Sequence, residues 1–379
     1  MNNSSKIYLI TNIPAPYRHH LFNKIAENYP NFTVIYSLSN ESDRKWGNSL
    51  SEIRYNYIIF EKKIRSKVKT FNIKILKIII GHCNKNTIFM IGSCGVINKY
   101  IIVTFSYIMK YKYIMISDGE INNSLSLIKK IRKKIICKYS SGILVPGKRG
   151  KEFFEGLGID SKKIYNSYFS HDIQYFKKYY DKKQYFRDKI RGTLGICDDD
   201  IVILTISRFL DWKRLEDLFE ALNLVKDDEY ILKKLQVLLI GNGEYTKPIV
   251  EFLKSQNHIK INWIRSMAYN TISEYYASAD FFVLPSEGDI WGLVVNEALS
   301  MGLPVICTKK IGASELIKDG INGFIIPARK PIVLANRIRI LYENINLREK
   351  MSSEAIKIHK TWNSTMAIES ITKLLNKLD

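Results

Sequence analysis

Short apolar runs alternate with stretches of helical spacing along almost the whole chain, and that alternation limits the fold more than any other feature. One series lies at residues 7–11, 32–36, 55–60, 87–91, 113–117 and 142–145. A second lies at 201–207, 235–240, 259–263, 281–284, 305–308 and 323–326. Runs that are apolar at consecutive positions suit strands buried on both faces, and such strands are parallel and joined by helices. The succession is therefore βαβ, and it predicts an α/β protein with two doubly wound, Rossmann-like domains facing a cleft. Between the series, residues 175–200 are charged and aromatic and hold no such run, so the junction is placed there. A chain of 379 residues lets each half bury its own core. The expected division is a first domain at 1–180, a linker at 181–198, a second domain at 199–355 and a last helical segment at 356–379.

The loop after residues 281–284 is the most informative. Pro285 ends that strand, and Leu293, Val294, Ala298 and Leu299 then recur near helical spacing until Gly302 and Pro304. Open parallel sheets bind ligands at the carboxyl ends of their strands, where this loop falls. Asp289 and Glu297 put one carboxylate in the loop and another about a turn into the helix. Amides near Gly292, Leu293 and Val294 would face an anion there, with the helix dipole favouring negative charge. A carboxylate beside that anion suits sugar hydroxyls better than phosphate. On spacing alone, Asp289 as a helix cap and Glu297 as a solvated side chain fit equally well.

Residues 201–207 lead to Arg208 and then Lys213, flanked by Trp212 and Arg214, before another helical pattern. Arg can present two parallel donors to phosphate oxygens and Lys a compact charge, so this pair suits a diphosphate; ordinary surface cations are the alternative. Gly241-Asn242-Gly243-Glu244 reads as a tight turn. In the first half, the loop after residues 7–11 is stiffened by two prolines, and His19 and His20 fall inside the following helix. Asp118 closes the run 113–117, where a turn-forming Asp-Gly is the alternative reading.

These residues resemble the signature of the retaining glycosyltransferases of family 4, of the group 1 type, in which two acids have seven residues between them. Here the acids are Asp289 and Glu297, with Trp291-Gly292-Leu293-Val294-Val295-Asn296 between them. The likeness continues through Gly302-Leu303-Pro304-Val305-Ile306 and Gly312-Ala313-Ser314-Glu315-Leu316-Ile317 to Gly320-Ile321-Asn322-Gly323-Phe324, covering most of 199–360. One departure stands out: the family usually has Glu at the first acidic position, and Glu287 is a rival two residues before Asp289.

The resemblance implies the glycosyltransferase B fold, with an acceptor-side first domain, a nucleotide-sugar-binding second domain and a last helix that crosses back to the first. It implies catalytic roles for Arg208, Lys213, Asp289 and Asp118, the two cations neutralising a leaving diphosphate so that neither metal nor cofactor is needed. Donor binding would fall to Glu297, Gly292, Leu293, Val294, Arg265 and Glu287, with Asp289 on the sugar and Glu297 on the ribose. Pro16, Tyr17 and Arg18 would lie near the reaction centre. The expected reaction moves a sugar from a UDP- or GDP-sugar to a hydroxyl of a lipid-linked glycan in bacterial polysaccharide synthesis (lipopolysaccharide, capsule or exopolysaccharide), with the anomeric configuration retained. A sugar-nucleotide epimerase of the same fold and a non-catalytic basic peripheral scaffold are the alternatives.

The net charge of +21 is distributed unevenly. Residues 1–198 hold 35 Lys and Arg against 14 Asp and Glu, and residues 199–379 hold 23 against 23, so the whole excess falls in the first part. Its densest clusters are 62–77, 129–138 and 177–191. Lysine-rich codon usage would enrich both parts alike, and no nucleic-acid-binding motif accompanies the clusters. An anionic membrane surface attracts basic residues by about 1 kcal/mol each. We therefore expect a cytoplasmic protein peripheral to the inner face of the cytoplasmic membrane, with no nucleic acid partner. Cys83, Cys94, Cys137, Cys197 and Cys307 have no CxxC spacing and no His cluster nearby, which supports neither a disulfide framework nor zinc. The amino terminus reads as a first buried strand rather than a signal peptide, and the most apolar segments, 75–80 and 101–109, stop well short of the roughly 20 residues of a membrane span.

Overall fold

The computed structural model describes residues 5–39, 49–61, 73–93, 96–117, 126–169, 171–225, 234–255 and 260–378. The chain divides into two compact units, one of Met1–Phe169 with Ser364–Asp379 and the other of Ser170–Asn363.

The first unit is built on seven strands: β1 (Lys6–Thr11), β2 (Phe32–Leu38), β3 (Asn56–Glu61), β4 (Thr87–Ile91), β5 (Lys112–Ile116), β6 (Gly142–Val145) and β7 (Ile164–Asn166). They form one parallel sheet in the order β3-β2-β1-β4-β5-β6-β7. Sequence reading anticipated all but β7, which has three residues and buries only the middle one, so no apolar run marks it. Successive residues of β1 serve opposite faces of the sheet, as strand geometry requires. Ile7 and Leu9 pack with Phe22 and Ile25, and Ile10 packs with Phe89 and Ile102. The last helix, Ser364–Asn376, adds Ile371, Leu374 and Leu375 to the Ile7 face.

The second unit is built on β8 (Ile201–Ile206), β9 (Leu235–Ile240), β10 (Lys260–Ile264), β11 (Phe281–Leu284), β12 (Val305–Thr308) and β13 (Gly323–Ile326). All are parallel, in the order β10-β9-β8-β11-β12-β13. Every residue of β9, β11 and β12 is buried, which is why their sequences are apolar except at Gln236 and Thr308. The chain builds outward from β8 to β10 and then restarts on the other side of β8 with β11. The boundary between β8 and β11 is therefore the point where strand order reverses, and ligands of doubly wound sheets bind at its carboxyl end.

Residues 181–198, expected as a linker, instead contribute the helix Lys183–Leu194, and they belong to the second unit. The reason is a charged clamp. Arg191 is 1% exposed and donates to Asp280 Oδ2 at 2.8 Å, while Arg187 donates to Asp280 Oδ1 at 2.8 Å. Asp280 Oδ2 also accepts the Val202 amide at 2.7 Å, and Arg191 further donates to the carbonyls of Ser278, Cys197 and Asp200 at 3.1, 2.9 and 3.0 Å. Two arginines thus hold the helix against the amino ends of β8 and β11. A charged composition gave no hint of this, because the shared partner lies about ninety residues further on.

Candidate active site

The loop after β8 takes its path from the loop after β9. Ser207 donates its amide to the Ile240 carbonyl at 3.1 Å, Phe209 to Asn242 at 2.9 Å, and Tyr245 in turn to Phe209 at 2.9 Å. Gly241 makes this pairing sterically possible. Its φ is 143°, and a Cβ there would lie 1.9 Å from the Ser207 carbonyl oxygen. The glycine turn is therefore a backbone device that fixes the cationic loop. Phe209 is fully buried and stacks on Trp263 at 5.7 Å; Trp263 Nε1 donates to the Gly241 carbonyl at 2.9 Å, and the Arg265 guanidinium lies 4.4 Å from the Trp263 ring.

Beyond Phe209, a single turn of 3-10 helix at Asp211–Lys213 sets the cations. Arg214 is held locally by Glu216 at 2.5 Å and Asp217 at 2.7 Å. Arg208 is exposed. Lys213 is only 9% exposed, and its Nζ is hydrogen-bonded to Oδ2 of Asp289, which arrives from the end of β11.

The loop that brings Asp289 is clamped on both sides. The Glu287 amide donates to the Trp212 carbonyl at 2.8 Å, joining it to the Lys213 loop. The Gly312 amide donates to the Asp289 carbonyl at 3.0 Å and the Ala313 amide to the Trp291 carbonyl at 2.7 Å, joining it to the segment after β12. Gly292, with φ 89°, then turns the chain into the helix Leu293–Ser300, where an added Cβ would sit 2.8 Å from Ile311 Cγ2. Trp291 is buried, stacks on Trp362 at 4.8 Å and donates from Nε1 to Asn296 Oδ1 at 2.8 Å. The amides of Leu293 and Val294 stand in the first turn, where helix geometry supplies no intrahelical acceptor.

The two rival acids have different environments. Asp289 is paired with Lys213, whereas Glu287 is paired with Arg329 at 2.5 Å on the exposed surface. The hydrogen bond from Arg329 holds the Glu287 carboxyl below its usual range. Gly292, not Asp289, is the N-cap of the helix, and Glu297 is not solvated: it is 3% exposed and accepts from Tyr276 Oη at 2.8 Å. Burial pushes Glu297 up to about 7, against the opposing pull of the Tyr276 hydrogen bond. One site in the second unit therefore gathers a cation-carboxylate pair, a helix start and a buried carboxyl poised near neutrality.

The first unit gathers the other expected residues at the carboxyl end of β1. Pro16 opens the helix Pro16–Asn28, Tyr17 packs against Phe169 at 5.9 Å, and Arg18 donates to Thr11 Oγ1 at 2.8 Å. His19 is buried and bonded to Tyr55 Oη at 2.8 Å, and burial lowers it to about 4; His20 is bonded to Ser364 at 3.0 Å. Asp118 lies outside the described residues. Among those described, one triplet has metal-ligand spacing, Cys197, Asp199 and Asp200. It sits at the amino end of β8, away from Lys213, and Asp200 already accepts from the Cys197 amide at 2.9 Å and from Gln236. Sequence reading missed Tyr276, Asn296 and Arg329 as partners. Trp291 lay inside the signature stretch, but nothing in the local pattern tied Tyr276 to Glu297 or Arg329 to Glu287.

Residues 186–358 match the family model of glycosyl transferases group 1. By sequence, the chain is similar to N-acetyl-alpha-D-glucosaminyl L-malate synthase of Bacillus anthracis, at 26% identity over 48% of this chain and 48% of that protein. It is also similar to D-inositol 3-phosphate glycosyltransferase of Paenarthrobacter aurescens, at 33% identity over 48% of this chain and 46% of that protein. The chain thus spans about half the length of the relatives it matches by sequence. Among solved structures, HepE of Anabaena in complex with UDP and glucose superposes with a TM-score of 0.77 at 18% identity, covering 98% of this chain and 100% of that one. That likeness shows the fold: two parallel sheets with flanking helices, as in the glycosyltransferase B architecture.

Proposed function

We propose that this protein is a retaining, metal-independent glycosyltransferase that moves a sugar from a nucleotide diphosphate sugar to an acceptor hydroxyl. The observation that carries this reading is the pairing of Lys213 with Asp289 beside the helix start at Gly292, at the carboxyl ends of β8 and β11. The family match over residues 186–358 supports it, and the UDP and glucose of the HepE complex favour a UDP-sugar donor.

In this reading the diphosphate takes Lys213 from Asp289, which leaves the carboxylate to accept hydrogen bonds from the donor sugar. As the bond from the sugar anomeric carbon to the phosphate oxygen breaks, negative charge builds on the diphosphate. Lys213, Arg208 and the amides of Leu293 and Val294 stabilise that charge, and donors already in place for a developing anion are the largest single source of catalysis in many enzymes. The acceptor oxygen bonds to the anomeric carbon on the face that the phosphate leaves, and its proton passes to the departing phosphate. Glu297 accepts from the ribose diol. Arg18 and Tyr17 belong to the acceptor side.

The acceptor we propose is a lipid-linked glycan of bacterial polysaccharide synthesis, met at an anionic membrane by the basic first part of the chain. Among the described residues no helix is long and apolar enough to cross a membrane. The test is incubation of the purified protein with a panel of UDP- and GDP-sugars. Release of nucleoside diphosphate from one donor is expected, with the anomer retained in any product formed on an added glycan. Interconversion of the sugar without nucleotide release would mark an epimerase, and an untouched panel would leave a scaffold; either result overturns the proposal.

A further inference from the structure

The helix Leu127–Lys138 of the first unit carries its apolar stripe on the outside. Leu127, Ile128, Ile131 and Ile135 are 72, 62, 49 and 52% exposed. At 3.6 residues per turn these four positions fall within about 100° of one another, on a single face. The opposite side seats the helix: Cys137 is buried in the core, Ile136 packs against it, and the Lys133 ammonium lies 4.9 and 5.3 Å from the rings of Phe153 and Phe154. Lys163 fixes the far end by donating to the carbonyls of Lys138 and Ser140 at 2.9 and 3.2 Å. The outward stripe is therefore not a fraying segment but the free face of an anchored helix.

That face continues onto a neighbouring element. The helix Val96–Met109 ends with Tyr107 and Ile108, 73 and 66% exposed, and Tyr107 meets Tyr139, 55% exposed, with ring centroids 6.3 Å apart. Contiguous apolar surface of this kind marks an interaction site. Its border is cationic. The helix contains Lys129, Lys130, Arg132, Lys133, Lys134 and Lys138 and no acid, and Arg132 and Lys134 fall on the two edges of the stripe. Exposed Leu and Ile between rows of Lys and Arg, with tyrosines at the margin, is the pattern of a helix lying in the plane of a bilayer interface.

We propose that the helix Leu127–Lys138, with Tyr107, Ile108 and Tyr139, inserts its apolar stripe into the interface of an anionic lipid bilayer. The proposal rests on reading the first part of the chain as membrane-facing, and it changes the kind of contact from charge alone to insertion plus charge. Charge complementarity selects this occupant. A second copy of the chain would bring one set of these cations against another, and a polyanion such as nucleic acid has no counterpart for Leu127, Ile128, Ile131 and Ile135.

The test is co-sedimentation of the full chain with vesicles of phosphatidylcholine and phosphatidylglycerol, against vesicles of phosphatidylcholine alone, at low and high salt. The expected result is binding that needs the anionic lipid, with a fraction that survives high salt because buried apolar surface is not screened. A double variant, Ile131→Glu with Ile135→Glu, should lower the vesicle partition coefficient about tenfold or more. Both positions are half exposed, so far-UV circular dichroism and nucleotide affinity should not change. Binding by the double variant equal to that of the unaltered protein overturns the proposal. So does complete release by salt, which would reduce the contact to surface charge, and so does a dimer in solution that the two substitutions dissolve. Failure of the transferase reading would appear separately, as no donor consumed with or without vesicles.

Discussion

Lys213 and Asp289, 76 residues apart in the chain, are hydrogen-bonded to each other at the carboxyl ends of the two central strands of the second sheet. On the function proposed above, the pair solves a physical problem for a site that receives a diphosphate. A lysine that is 9% exposed needs a partner, because an unpaired buried cation is expensive. Asp289 supplies one; in the proposed reaction an incoming phosphate replaces it and the released carboxylate turns to the sugar hydroxyls. The same pairing separates the two acids that the sequence left in competition, since Glu287 is engaged by Arg329 outside this contact.

Replacing Lys213 with Ala should lower kcat for nucleotide release by roughly 10²–10³, the loss typical of one donor aimed at a developing anion. Asp289→Asn, which keeps the shape and removes the charge, should impair use of the donor sugar without weakening affinity for the free nucleotide, because the diphosphate no longer has to displace a carboxylate from Lys213. Glu287→Gln should leave both nearly unchanged, because its partner pair is exposed and such pairs contribute about 0–1 kcal/mol. Steady-state kinetics on the three variants checks the assignment; a Glu287 effect larger than that of Asp289 would reverse it.

Glu297 predicts a pH dependence whose sign can be worked out. Burial raises its carboxyl from 4.5 to about 7, so the fold favours the neutral form. The group's contribution to stability is present below pH 4.5 and is lost as pH rises from there to about 7, where the folded protein must also ionise it. A ribose diol donates hydrogen bonds and so favours the carboxylate. Nucleotide binding should therefore release a proton at pH 6, and affinity should rise about tenfold between pH 6 and pH 8 and then level off. Calorimetry in buffers of different ionisation enthalpy measures both effects. Equal affinity at the two pH values, with no proton released, would remove Glu297 from the ribose.

How much of this was legible in the sequence depends on the range of the interaction concerned. Runs such as 281–284 and 235–240 announced their strands because burial on both faces favours apolar residues at consecutive positions, Gln236 being the one polar residue in the two runs. The acids Asp289 and Glu297 and the cations Arg208 and Lys213 were visible because they sit at strand ends or in the first turns of helices, which short-range pattern marks. The Lys213–Asp289 bond was not, since sequence gives no sign of which strands become neighbours across 76 residues. Tyr276 was invisible as the partner of Glu297 for the same reason, and so were the different partners of Asp289 and Glu287. The outward stripe of the helix Leu127–Lys138 was hidden differently: its period is helical whether the apolar face looks in or out, and only packing distinguishes the two.

Arg191 carries the last prediction, because it decides whether residues 181–198 are a linker or part of the second unit. Arg191→Ala would leave the carbonyls of Ser278, Cys197 and Asp200 without this donor and Asp280 with Arg187 and the Val202 amide alone. Breaking a buried pair of this kind costs about 3–5 kcal/mol, which for a unit of this size lowers Tm by on the order of 10 °C. Arg187→Ala should cost less, about 1–2 kcal/mol, because that side chain is 20% exposed and water can solvate what it leaves behind. The clamp lies at the amino ends of β8 and β11, the opposite ends of the strands from Lys213 and Asp289. Well below its lowered Tm, the Arg191 variant should therefore bind nucleotide as the unaltered protein does. Thermal melts followed by circular dichroism, with nucleotide titration at low temperature, check both halves of the statement. A linker would give unchanged melts for both variants.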